Sequence, residues 1–144
     1  MKSPLRTVAG PLALGRTNKR EAAVLNFAKQ LSAVTWDFSK DGGAVGDISF
    51  GAALPAGAIV TNVWSDEETA VTGATSVTLK AGSTALTGAL DFTGVGDTGI
   101  QSRALAGSAA GIKVSASSEL KISIATAAAT AGKVTFYVEW MKKP

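Results

Sequence analysis

The sequence predicts an all-β fold: an antiparallel β-sandwich, jelly-roll-like, with an extended or partly helical N-terminal arm. Three observations predict it. From about residue 32 the apolar residues alternate with a period of two. Turn-forming clusters such as "LPAGA", "KAGS", "AGSAAG" and "ATAGK" separate the apolar runs at short intervals. No gap between them holds a sustained helical pattern of ten or more residues, which a parallel α/β sheet would need.

The chain divides into a basic arm, residues 1–30, and a sandwich domain, residues 31–144. The arm carries Lys2, Arg6, Arg16, Lys19, Arg20 and Lys29 against Glu21 alone, so the net charge of +3 conceals a basic arm on a weakly acidic body. Such an arm suits nucleic acid, an acidic membrane or an acidic protein surface, or is simply a solvated tail. The absence of any aromatic residue before Phe27 removes the stacking platforms that single-stranded nucleic acid would use. Asn18 and Glu21 are spaced as a capping box, and Val24, Phe27, Ala28 and Leu31 then share a helical face. The same stretch also reads as an early entry into the first strand. Lys19 and Arg20 in a first helical turn oppose the helix dipole, which fits charges kept for an anionic partner. The apolar run "VAGPLALG" is short and broken by Pro11, unlike a secretory signal, and no apolar run reaches the length of a membrane-spanning helix.

The strands follow in order. "SAVTWDFS" turns Val34, Trp36 and Phe38 inward, and "GDISFG" does the same with Ile48 and Phe50. "AIVTNVW" is apolar on both faces, Ile59 and Val63 on one and Val60 and Trp64 on the other, which places it deep in the fold or at a subunit contact. "SVTLK" buries Val77 and Leu79; "TALTG", "ALDF" and "IQSRAL" are shorter candidates; "IKVSA" buries Ile112 and Val114. "ELKISIAT" buries Leu120, Ile122 and Ile124. In "KVTFYVEW", the clearest strand, Val134, Phe136, Val138 and Trp140 point one way and Lys133, Thr135, Tyr137 and Glu139 the other. About eight or nine strands in roughly 110 residues suit a jelly roll or a related Greek-key sandwich.

The chemistry available is narrow. The chain has neither cysteine nor histidine, which excludes disulfides, thiol nucleophiles, Ser–His triads and the commonest zinc ligand. No catalytic residue, metal site or cofactor is expected, and the chain reads as non-enzymatic. "SDEE", Asp66 to Glu68, reads as a solvated loop, with calcium as the functional alternative. "DGGAVGD", with Asp41 and Asp47, reads as a flexible hairpin loop. Trp36, Trp64 and Trp140 could form a sugar-stacking platform, but strand phase places at least Trp36 and Trp140 in the core. "GVGDTG" fits the dinucleotide spacing G-x-G-x-x-G, with Glu119 about twenty positions on. That fingerprint needs a helix opening at its third glycine within a βαβ frame. The chain offers neither, so Gly94, Gly96 and Gly99 read as turn residues in a contact loop.

The stretch "LPAGAIVTNVWSDEETAVTGATSVTLKAGSTALTG" resembles a recurrent class of small tailed-phage structural proteins. In these a Pro-Ala-Gly-Ala strand entry, here Leu54 to Ala58 with Val60 and Val63, precedes a pattern matched by Ala70, Thr72, Gly73, Ala74, Ser76, Thr78, Leu79 and Gly82. A closing strand supplies Gly132, Val134, Tyr137 and Glu139. The resemblance covers roughly residues 50 to 140. It implies a capsid decoration or cement protein on the exterior of the virion, made in the host cytoplasm. Its partners would be the major capsid protein and its own copies in a homotrimer, with no nucleic acid and no membrane. The Ala-rich strands suit such close subunit packing, or are merely small-residue strand ends. Arg6, Arg16, Lys19 and Arg20 would be the arm's contacts with the capsid. The alternative is a head-fibre or tail-fibre domain that recognises host glycans through loops 65–75 and 93–99.

Overall fold

A computed structural model describes residues 28–73, 76–92 and 99–143. The body, Lys29–Lys142, is one compact unit. Its elements are β1 (Lys29–Asp37), a single helical turn α1 (Phe38–Asp41), β2 (Gly46–Leu54), β3 (Ile59–Thr72), β4 (Ser76–Ala81) and β5 (Thr84–Ala85). Then come β6 (Ile100–Arg103), a 3-10 turn (Ala106–Ser108), β7 (Ile112–Lys113), β8 (Ser118–Ala125) and β9 (Ala131–Met141). All strand pairs among the described residues are antiparallel.

Two sheets face each other. The first has the order β1-β9-β3-β6, with β7 also pairing β3, and the second the order β2-β8-β4-β5. The order is nested: the first strand lies beside the last, and the second beside the second-to-last. Successive strands mostly alternate between sheets, which gives the antiparallel β-sandwich expected from the sequence. Consequently "DGGAVGD" is not a hairpin loop. It crosses from one sheet to the other, with Asp41 in α1 and Asp47 already in β2.

The straight strands obey the period of two. Leu120, Ile122 and Ile124 of β8, Val77 and Leu79 of β4, and Val134, Phe136 and Val138 of β9 are all buried between the sheets. Phe136 sits at the centre, edge-on to Phe92 at 6.3 Å and tilted against Phe50 at 6.4 Å. Trp36 is buried and its Nε1 donates to the Gly42 carbonyl at 2.8 Å. Trp140 is half-buried against the core, its Nε1 donating to Ser32 Oγ at 3.0 Å.

Several elements depart from the sequence reading. β1 begins at Lys29, so Leu31 is a strand residue paired with Glu139 rather than part of a helical face. β1 also stops one residue before Phe38. The Asp37 carboxylate accepts hydrogen bonds from Ser39 N and Oγ at 3.0 and 2.6 Å and caps the turn that follows. The "IKVSA" strand shrinks to Ile112 and Lys113, although Val114 is buried as expected. "SDEE" is no loop: all three carboxylates lie inside the fourteen-residue strand β3.

Candidate interaction face

The outer surface of the first sheet is where this body departs from an ordinary soluble face. Its formation begins with irregularities in β3. Against β9, Glu139 pairs with Asn62 but Trp140 pairs with Val60, leaving Thr61 as an extra residue, a β-bulge. The bulge resets the alternation. Val60 and Val63, three residues apart, both become fully buried, and Trp64 is turned to the outside beside its partner Tyr137. Strict alternation puts Val60 with Trp64 and Ile59 with Val63. The bulge overturns that pairing of faces.

Trp64 and Tyr137 floor a groove of about 520 Å³ whose flanks are Leu31 from β1 and Ile100 from β6. Leu31 and Ile100 are each 62% exposed, two of the three large apolar residues so exposed among the described residues. Lys29, Gln30 and Glu139 add polar groups to its rim. Glu139 is held firmly: its Oε1 accepts from Asn62 Nδ2 at 2.7 Å and Thr61 Oγ1 at 2.8 Å, and Lys29 Nζ lies at 3.6 Å. The Asn62 and Thr61 hydrogen bonds, helped by Lys29, hold its carboxyl below the usual carboxylate range. Further along the face Thr135 Oγ1 meets Thr35 Oγ1 at 2.9 Å and donates to Glu68 Oε2 at 3.0 Å, while Lys133 Nζ pairs with Glu68 Oε1 at 3.0 Å.

The inward side of the same stretch of β3 carries unusual polarity. Ser65 and Glu67 are buried, 1% and 3% exposed. Glu67 Oε2 accepts from Val71 N at 3.1 Å, and its Oε1 has no hydrogen-bond partner among the described residues. Arg103 of β6 donates from Nε to Ser65 Oγ at 2.7 Å and lays its guanidinium 4.8 Å from the Phe92 ring centre. Burial lowers the Arg103 pKa, and the nearby Glu67 charge opposes that shift. Nothing in the sequence pattern marked Glu67 as interior, because three consecutive acids look like a solvated run.

The arm residues Arg6, Arg16, Lys19 and Arg20 lie outside the described residues, as do 93–98, most of "GVGDTG" and of the second proposed glycan loop. Gly99 does adopt a positive φ of 84°. The first proposed glycan loop is strand as far as Thr72. Among the described residues no group of three or more acidic side chains could hold a metal ion, and no helix is long and apolar enough to cross a membrane.

No family model and no curated protein matches the sequence. Among solved structures, the fold is similar to a chain of the acidic stable capsid structure of Helicobacter pylori bacteriophage KHP30. The identity is 18% and the TM-score 0.58, over 81% of this chain and 90% of that one. It is also similar to a chain of the cyanophage Pam1 capsid asymmetric unit, with 24% identity and a TM-score of 0.53, over 81% of this chain and 86% of that one. At these identities the likeness establishes the fold.

Proposed function

We propose that this chain is a non-enzymatic structural protein of a tailed-phage virion, a decoration or cement protein. It binds the major capsid protein on the outside of the shell, as a homotrimer. The observation that carries this reading is the fold's likeness to chains in two phage capsids, extending over most of each neighbour's length. The sequence resemblance to small tailed-phage structural proteins points the same way, and it rests on different evidence, the pattern of residues rather than the path of the backbone.

The physical case is a division of labour. The exposed apolar strip Leu31–Tyr137–Trp64–Ile100 gives the body a contact surface of the sort that soluble monomers keep small. The basic arm adds attraction to an acidic shell through Arg6, Arg16, Lys19 and Arg20. Many modest contacts spread over a subunit junction resist the outward pressure of packaged DNA, and no chemical step is required. The test is co-sedimentation with capsids together with images of virions carrying and lacking the protein. Binding that survives removal of residues 1–20 would sink the arm's role; absence of the protein from the shell would sink the cement reading.

One observation favours the glycan-binding fibre domain as a second reading. Trp64 and Tyr137 lie side by side on the outer face, beside the oriented carboxylate of Glu139. Aromatic rings next to fixed acceptors suit a pyranose face. Binding on a glycan array, lost in Trp64→Ala, together with absence from the capsid surface, would favour it.

A further inference from the structure

Among the described residues the two sheets have four edges, and the fold blunts three of them. β5 is two residues long, and the β6–β7 edge is broken into pieces of four and two. β2 loses register between Ser49 and Ala53 and carries positive-φ glycines at 46 and 51. Short strands and bulges are the usual protection against unwanted pairing. β1 has none of these devices; outside its pairing with β9 only its last amide, Asp37 N, is engaged, donating to Asp41 Oδ2 at 2.9 Å. It runs nine residues in unbroken register with β9 and contains no proline, glycine or bulge. Its seven central residues, Gln30 to Trp36, carry no charge, and Leu31, Ala33 and Thr35 on its outer face are exposed.

We propose that β1 is the strand through which two copies of this chain pair, antiparallel, across a two-fold axis at Ala33. Full overlap of a nine-residue strand with its own copy centres on the fifth residue, Ala33, whose small side chain meets itself without a clash. That register sets Lys29 opposite Asp37 of the second copy at both ends, so the only two charges on the strand are matched twice. Leu31 falls opposite Thr35 of the second copy, which covers part of an apolar side chain that water otherwise surrounds. A slip of two residues loses both ion pairs. The adjoining groove carries Lys29 and Glu139 already paired with each other, so it repels neither an identical copy nor favours a strongly charged partner. Such a contact is isologous and yields an even number of copies. It is therefore separate from the three-fold association of the proposed cement, and would join two trimers where both exist.

The chain has no cysteine, so single cysteines read the register directly. In the full chain under mild oxidation, Ala33→Cys links into a dimer in more than about half of the molecules, because Cα atoms paired across strands lie about 4.5–5.5 Å apart. Leu31→Cys alone and Thr35→Cys alone each link in less than about a tenth, since like residues are then offset by roughly 13 Å along the strand, beyond disulfide reach. Mixing those two variants restores linking. Equal linking at all three positions, no linking of Ala33→Cys, or a wild-type mass of one or three copies by light scattering overturns the pairing. Capsid co-sedimentation of the same variants is scored separately, so loss of the cement reading is not mistaken for loss of this contact.

Discussion

At the scale of single residues, Glu67 and Gly132 show the two ways the interior is constrained. Glu67 is buried to hold the Val71 amide, which the irregular end of β3 would otherwise leave unpaired. Glu67→Ala removes that acceptor and is expected to cost about 1–3 kcal/mol, whereas Glu67→Gln keeps an acceptor oxygen and stays within about 1 kcal/mol of the wild type. Urea unfolding measures both. Equal losses would mean that the charge facing Arg103, rather than the hydrogen bond, is what the fold needs. Gly132 has φ 143°, and a Cβ there would stand 2.9 Å from the Trp36 ring and 3.0 Å from a Val71 methyl. Gly132→Ala therefore overpacks the core, at a cost of about 1–3 kcal/mol on top of the positive-φ strain. Gly51→Ala, with φ 72° and open space around its Cβ, pays only the backbone cost of about 1–2 kcal/mol. A thermal melt that ranks them the other way refutes the packing argument. Gly132 was visible in the sequence as part of a closing-strand pattern; the reason for it, a ring across the sheet, was not.

At the scale of elements, the seam between β3 and β9 explains both what was legible and what was not. β4, β8 and β9 alternate regularly on their core-facing side, and their inward residues could be named from the sequence because a straight strand has one period. β3 departs from register with β9 in three places, and each extra residue reverses the phase. "AIVTNVW" is apolar on both faces, and Trp64 does lie on the outer one. Which residues faced out depended on the bulge, and a pattern of residue types cannot locate a bulge. The same seam sets a pH dependence. Lys133 and Thr135 hold the Glu68 carboxyl below its ordinary value, and Asn62 and Thr61 do so for Glu139. With folded-state pKa values below about 4.5, their contribution is complete above that pH and fades as the pH falls through the lowered values. Lys133 is raised above 10.5, chiefly by its hydrogen bond to Glu68, so its share is complete below that pH and is lost as the pH climbs through its raised value. These groups are solvent-exposed, which keeps each effect modest. The melting temperature should be level between about pH 5 and 9 and decline below about pH 4.5. The double variant Glu68→Gln, Glu139→Gln should decline less steeply. An identical acid slope would place the acid sensitivity elsewhere in the chain.

At the scale of the whole molecule, the two outer faces differ in chemistry, and that difference predicts which one meets a partner. The outer face of the second sheet is a salt-bridged polar surface: Asp47 of β2 receives Lys121 of β8 at 3.2 Å and Lys80 of β4 at 3.7 Å. Water solvates such a face well, and burying it against a partner would require stripping charged groups. The outer face of the first sheet has its own Lys29–Glu139 and Lys133–Glu68 pairs but also offers Leu31, Tyr137, Trp64 and Ile100, whose removal from water is favourable at about 25 cal/mol per Å². If the body binds the capsid shell, it binds through the first sheet. Ile100→Lys places a charge on the flank of that groove while touching nothing in the core, so its melting temperature should match the wild type and its stability change should stay within about 0.5 kcal/mol. Capsid co-sedimentation should nonetheless drop at least about tenfold, because a lysine desolvated without a partner costs more than the 1.4 kcal/mol that a tenfold change represents. Lys121→Glu on the opposite sheet reverses a charge of equal size, and binding should persist. The reverse result, binding kept by Ile100→Lys and lost by Lys121→Glu, would turn the molecule over on the shell and leave the apolar face for copies of the chain alone.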